Sequence, residues 1–127
     1  MSRQAKRVLI VEDNPVVQEV LDQFLRPTYH VTVTSNGSQA LGALAKHPPD
    51  VMLLDVRIPG VDGLSLLRSL RDMGITIPIF VITGYDSTEV AEEAMSNGAN
   101  GYLPKPFDLL YLERLIARAV DTNPALT

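Results

Sequence analysis

Short apolar segments alternate regularly with longer amphipathic ones along this chain, and that pattern leaves few folds open to it. Five apolar runs of strand length are followed by five stretches in which apolar residues recur at helical spacing. The runs lie at residues 8–11, 31–34, 51–54, 78–82 and 101–103. Strands that alternate with helices imply right-handed βαβ crossovers, and therefore a parallel sheet with helices on both faces.

Capping residues mark where several of the helices begin and end. Asn14-Pro15 is typical of an N-cap followed by the first helical residue, and Asp86 with Glu89 favours a capping box for the fourth helix. The third helix is predicted over residues 64–73, and the fifth over residues 108–121.

A proline indicates the order of the strands. Pro104 lies at the end of the fifth strand and cannot donate to a β-ladder, so this strand is expected at an edge of the sheet. The flavodoxin-like order 2-1-3-4-5 meets that condition. We therefore expect a (βα)5 three-layer sandwich forming one domain over residues 1–127, with a core at about residues 5–121 and a short tail at 122–127.

Composition excludes several classes of function. The net charge is −4 and there is no cluster of basic residues, so direct binding to nucleic acid is not expected. No apolar run is long enough to insert into a membrane, and the N-terminus lacks the apolar stretch of a secretory signal. The absence of cysteine fits a reducing compartment, and we expect a cytoplasmic protein.

Polar residues follow four of the five strands at the point where each ends. They are Glu12 with Asp13, Asp55, Thr83 and Lys105. The carboxyl ends of parallel strands form the ligand crevice of such sheets. If strands one and three are adjacent, the three carboxylates meet in that crevice.

Three carboxylates in one crevice need a compensating cation. At about 4 Å and an effective dielectric of about 20, each like-charged pair costs about 4 kcal/mol. Lys105 supplies one positive charge, and oxygen ligands of this kind suit Mg²⁺. A carboxylate beside Mg²⁺ can attack phosphorus to give an acyl phosphate, so the residues present favour phosphoryl transfer.

Four motifs, in order and at these spacings, resemble the receiver domain of bacterial response regulators. They are VEDN at residues 11–14, LDVRIPGVDG at 54–63, TG at 83–84 and GYLPKPF at 101–107. The similarity spans about residues 5–121. It implies a signalling switch of a two-component system or phosphorelay.

The resemblance assigns roles to the residues of the crevice. Asp55 is the expected phosphoacceptor, and Lys105 is expected to contact the phosphoryl oxygens. Mg²⁺ is expected on Glu12, Asp13, Asp55 and the backbone carbonyl of Arg57. The resemblance also implies a cis peptide bond between Lys105 and the proline that follows it.

The resemblance further implies a switch and its partners. Thr83 is expected to move toward the phosphoryl group, with Tyr102 swinging inward behind it, which would change the surface of helix 4, strand 5 and helix 5. The donor is expected to be a histidine kinase or a histidine phosphotransfer protein. The output is expected through a downstream protein target or a fused output domain, and a phosphorylation-dependent homodimer through helices 4 and 5 stays open. Such a domain catalyses only its own phosphoryl transfer and dephosphorylation.

Two variable positions border the expected phosphorylation site. Arg57 and Tyr85 lie two residues beyond Asp55 and Thr83, respectively. We predict that both side chains influence how easily water reaches the phosphoryl group.

Three alternative functions fit these residues less well. A phosphatase of the haloacid-dehalogenase type needs a second aspartate where Arg57 stands. A nucleotide or flavin binder needs a glycine-rich or hydroxyl-rich loop after the first strand, where this chain is acidic. The strongest rival is an interaction module with the same fold that works without phosphorylation, and the complete acidic set together with Lys105 argues against it.

Overall fold

Five strands and five helices alternate along the chain in a computed structural model that describes residues 5–58, 60, 62–84 and 88–121. The strands are β1 (Arg7–Val11), β2 (His30–Thr34), β3 (Val51–Asp55), β4 (Ile79–Thr83) and β5 (Gly101–Pro104). The helices are α1 (Pro15–Leu25), α2 (Gly37–Lys46), α3 (Gly63–Asp72), α4 (Thr88–Ser96) and α5 (Leu109–Asp121). No helix within these described ranges is long and apolar enough to cross a membrane.

The strands form one parallel sheet in the order β2-β1-β3-β4-β5, which confirms the predicted topology. Every residue of β3 and β4 is buried, as expected for strands covered on both faces. β5 is an edge strand and contains Pro104, whose lack of an N–H is tolerated there.

Helices cover both faces of the sheet, so the core consists of two layers, one on each side of the sheet. On one face, Leu9 and Met52 of the sheet pack with residues of α2, α3 and α4. On the other face, Ile10 and Leu53 pack with residues of α1 and α5. Successive residues of a strand thus enter opposite layers, which is the three-layer sandwich predicted from the sequence.

The observed helix boundaries agree with the capping signals to within about one residue. The Asn14 side chain accepts hydrogen bonds from the backbone N–H groups of Val16 and Val17, so it is the N-cap of α1. α3 begins at Gly63, one residue earlier than predicted, because Asp62 is its N-cap. Asp86 of the predicted capping box of α4, like the tail at 122–127, lies outside the described residues.

Candidate functional site

An open cleft of about 340 Å³ lies at the carboxyl edge of the sheet. Its lining comes from the last residue of β3 and from the segments that follow β1, β3, β4 and β5, and the residues are Glu12, Asp13, Asn14, Asp55, Arg57, Gly84 and Lys105. The topology brings these segments together because β1, β3, β4 and β5 are consecutive in a parallel sheet, so their carboxyl ends share one edge.

Three carboxylates converge in this cleft. One oxygen from each of Glu12, Asp13 and Asp55 lies within 4.8 Å of the other two. Glu12 is fully buried and Asp55 is 4% exposed, whereas Asp13 is exposed. Two of the three charges are therefore removed from bulk water, which strengthens their mutual repulsion.

The Lys105 ammonium group bridges the two buried carboxylates. Its Nζ lies 2.6 Å from Glu12 Oε1 and 3.0 Å from Asp55 Oδ2, and it donates a hydrogen bond to each. The peptide bond between Lys105 and Pro106 is cis, as the resemblance implied. One cation thus compensates part of the charge of the cluster.

Burial and pairing shift the pKa values of this pair. Burial raises the pKa of the Glu12 carboxyl, and the hydrogen bond from Lys105 offsets only part of that effect. Burial by itself lowers the pKa of Lys105, but the hydrogen bonds to Glu12 and Asp55 and the negative charges of these two groups together outweigh it, so the net shift is upward. Lys105 is therefore an ammonium ion throughout the neutral range.

Backbone N–H groups hold the remaining oxygens of the buried carboxylates. Glu12 Oε2 accepts a hydrogen bond of 2.9 Å from the Asn14 N–H, and Asp55 Oδ1 accepts one of 3.1 Å from the Arg57 N–H. The first residue of α3 packs tightly against the end of β3, since a Cβ atom at Gly63 would lie 2.3 Å from the backbone oxygen of Asp55. Glycine is the residue that this close approach allows.

The model of the response regulator receiver domain family matches residues 8–117. The chain belongs to this family. Receiver domains of this family are the phosphorylation-activated switches of two-component systems.

Two curated relatives show how this receiver domain compares with longer proteins. It is 37% identical over 115 residues to the DNA-binding transcriptional regulator NtrC of Salmonella typhimurium. These residues make up 90% of this chain and 24% of that protein. It is 41% identical over 113 residues to the response regulator MprA of Mycobacterium sp. strain KMS. Here the matched residues make up 88% of this chain and 48% of that protein. The chain thus spans between about a quarter and a half of the curated relatives that it matches.

A solved structure of another receiver domain has the same fold as this chain. The receiver domain of sensor histidine kinase PA1611 from Pseudomonas aeruginosa PAO1 superposes with a TM-score of 0.83 and 35% identity, covering 93% of this chain and 99% of that one. That structure contains a magnesium ion coordinated in its active-site cleft.

The structure gives a position for most residues singled out from the sequence. Glu12, Asp13, Asp55 and Lys105 come together in the cleft, and the exposed Arg57 lines it. These positions agree with the sequence expectation, whereas the roles of the residues stay predictions.

The residues of the expected switch occupy two neighbouring strands. Thr83 is fully buried at the end of β4, at the same edge of the sheet as the cleft. Tyr102 is half-buried on β5, opposite Val81 of β4. Tyr85 lies outside the described residues.

Sequence reasoning missed two residues of the cleft lining. Asn14 is predicted only as a helix cap and as part of a motif, and Gly84 only as part of a motif. Each directly follows a residue with a predicted role, so adjacency in the sequence was the signal that could have found them.

Proposed function

We propose that Asp55 of this domain accepts a phosphoryl group. The observation that carries the proposal is the placement of Asp55, a nearly buried carboxylate in a cleft shared with two further carboxylates and one ammonium group. A carboxylate oxygen of Asp55 attacks phosphorus and becomes an acyl phosphate. The new O–P bond forms as the bond from phosphorus to the donor breaks, and the donor leaves with that electron pair.

The donor atoms of the cleft fit Mg²⁺. Oxygens of Glu12, Asp13 and Asp55 lie within 4.8 Å of one another, and hard oxygen ligands are those that this ion prefers. We propose that these three carboxylates and the backbone carbonyl of Arg57 hold it. When bound, the ion supplies positive charge that offsets the charge of the phosphoryl oxygens. The magnesium ion in the cleft of the similar PA1611 receiver domain supports this assignment.

Lys105 and Thr83 are the proposed donors to the phosphoryl oxygens. Lys105 Nζ is already 3.0 Å from Asp55 Oδ2, so it can turn to an oxygen of a phosphoryl group carried by Asp55. Thr83 is the last residue of β4, and the residue before it, Ile82, is opposite Asp55 in the sheet. Thr83 is therefore at the strand end next to that of Asp55. We expect its hydroxyl to donate to a second phosphoryl oxygen.

The same strand ends offer a route from the site to the surface. The Lys105 N–H donates a 2.6 Å hydrogen bond to the Thr83 carbonyl. Tyr102 lies on β5, three residues before Lys105. A movement of Thr83 toward the phosphoryl group therefore acts directly on the β5–α5 segment. We propose that Tyr102 follows this movement and changes the surface formed by α4, β5 and α5.

The lifetime of the acyl phosphate depends on the access of water. Arg57 is exposed and lines the cleft beside Asp55. We propose that Arg57, and Tyr85 on the strength of the sequence alone, limit that access.

The proposed partners follow from phosphoryl transfer. The donor would be the phosphohistidine of a histidine kinase or of a histidine phosphotransfer protein, and the chain would catalyse only its own phosphorylation and dephosphorylation. The output would pass to a downstream protein or to an output domain in the same polypeptide, without direct contact between this chain and nucleic acid. We also propose a phosphorylation-dependent homodimer through α4 and α5. The proposed compartment is the cytoplasm, where a histidine kinase would phosphorylate this chain.

The proposal is tested by intact-mass analysis after incubation with acetyl phosphate, with and without Mg²⁺. We expect a phosphoryl adduct on the wild type only when Mg²⁺ is present, and none on Asp55→Asn. Asp72→Asn removes an exposed carboxylate of α3 outside the cleft and serves as the matched control, which should be phosphorylated like the wild type. If the wild type gave no adduct and did not bind beryllofluoride, the interaction module that works without phosphorylation would be the better interpretation.

A further inference from the structure

The side chain of Gln18 connects the acidic loop after β1 to the loop after β2. Gln18 is half-buried on α1, and its Nε2 group donates hydrogen bonds to the backbone carbonyl oxygen of Glu12 and to Ser35 Oγ, the latter at 3.0 Å. Its backbone N–H also donates to the Asn14 carbonyl at 3.0 Å. One residue of α1 thus holds the acidic loop through both its side chain and its backbone.

The carbonyl that Gln18 binds lies between two of the proposed Mg²⁺ ligands. It belongs to the peptide unit that joins Glu12 to Asp13, and a peptide unit is planar. Fixing its oxygen therefore fixes the plane from which both side chains diverge. This matters most for Asp13, which is exposed and so has little packing of its own to orient it.

The Gln18 amide is itself held in orientation. Ser35 Oγ accepts the second Nε2 hydrogen bond, and the Ser35 backbone N–H donates to Gln39 Oε1 of α2 at 2.8 Å. The Glu12 N–H donates to the Thr34 carbonyl at 2.9 Å, which joins the ends of β1 and β2 beside the amide. The Gln18 side chain is thus one member of a polar connection from α2 to the acidic loop.

We propose that Gln18 is a positioning residue for Mg²⁺, which orients the Glu12–Asp13 peptide unit so that both carboxylates point into the cleft. This inference rests on the proposed function of the cleft. A residue that only stabilised the fold would affect unfolding and leave the affinity for the ion unchanged. Loss of a positioning residue lowers the affinity for the ion even in a protein that remains folded.

The test compares Gln18→Met with Gln23→Met by calorimetric titration of the metal-free proteins with MgCl₂. Methionine keeps the length of the side chain and removes the amide donors. Gln23 is exposed on the same helix, where its side-chain amide donates to Glu19 and not to the acidic loop, so it is the matched control. We expect Gln18→Met to raise the Kd for Mg²⁺ roughly tenfold, as is usual when a partner that orients a metal ligand is lost, and Gln23→Met to leave it unchanged.

A second readout separates positioning from a general loss of activity. The rate of phosphorylation by acetyl phosphate should fall in Gln18→Met at low Mg²⁺ and return to the wild-type rate when Mg²⁺ is saturating. If Gln18→Met had a wild-type Kd, with or without a lower stability, the inference would be wrong.

Ser35→Ala provides a second variant in case Gln18→Met does not fold. It removes the hydroxyl that orients the Gln18 amide and should raise the Kd by a smaller factor. A wild-type Kd in Ser35→Ala would then overturn the inference. If the wild type and Gln23→Met both failed to bind Mg²⁺, the proposed function itself would fail, which is a different result from a defect confined to Gln18→Met.

Discussion

Replacing Asp13 with asparagine should make the metal-free protein more stable. Asp13 is one of the three clustered carboxylates, and Lys105 pairs with the other two, Glu12 and Asp55. The substitution therefore removes two like-charge repulsions while both ion pairs of Lys105 remain. Asparagine has nearly the same shape as aspartate, so the packing should not change.

The size of the effect follows from the separations. At 4.8 Å each repulsion is about 0.9 kcal/mol in water and about 3.5 kcal/mol at an effective dielectric of about 20. Because Asp13 is exposed, the aqueous value is the better guide, and two pairs sum to about 2 kcal/mol. The longer-range attraction between Asp13 and Lys105 is lost as well, so we expect a net gain in unfolding free energy of about 1 kcal/mol.

Urea unfolding followed by circular dichroism measures this difference, first in EDTA and then in MgCl₂. Mg²⁺ at about 100 times its Kd should stabilise the wild type by about 2.7 kcal/mol, whereas Asp13→Asn, which lacks the charge of one carboxylate ligand, should gain less. The order of stability should therefore reverse between the two buffers. Glu92→Gln, which removes an exposed carboxylate of α4, is the control and should show no reversal. If Asp13→Asn were no more stable than the wild type in EDTA, the repulsion inferred from the geometry would be absent.

Three further outcomes follow from other parts of the structure. Arg71 donates to the carbonyls of Ile75 and Gly98, so Arg71→Ala should lower the unfolding free energy by about 2 kcal/mol in urea titrations, and the exposed Arg68→Ala should not. Tyr102→Ala should abolish the phosphorylation dependence of partner binding in a pull-down with and without acetyl phosphate, and preserved dependence would show that the coupling bypasses that side chain. Because burial raises the pKa of Glu12 above its usual value of 4.5, its stabilising contribution is complete below pH 4.5 and is lost as the pH rises through the folded-state pKa. The unfolding free energy of the wild type in EDTA should therefore rise relative to that of Glu12→Gln as the pH falls toward 4.5, and parallel pH profiles would contradict this.

The sheet and the convergence of the acidic residues could be predicted from the sequence because each depends on local chemistry. The lack of an N–H in Pro104 is a property of one residue, and it places β5 at the edge. The positions of Glu12 and Asp55 at strand ends then follow from the order of a parallel sheet.

Other features depend on how distant segments meet, and the sequence pattern does not contain them. Val16 shares the apolar periodicity of α1, yet its side chain is 69% exposed, because the rotation of a helix is set by the neighbours against which it packs. Gln18 has no local signal either, since its partners Glu12 and Ser35 lie on two different loops. Only the assembled sheet brings those loops together.

The most direct test of the central proposal is to identify the carboxylate that carries the phosphoryl group. The protein is incubated with acetyl phosphate and Mg²⁺ and then treated with borohydride, which reduces an acyl phosphate of aspartate to homoserine. Peptide mass spectrometry then locates the reduced residue. We expect homoserine at position 55 and unmodified Glu12 and Asp13. Reduction at Asp13 or Glu12 in place of Asp55 would contradict the assignment of Asp55 as the phosphoacceptor.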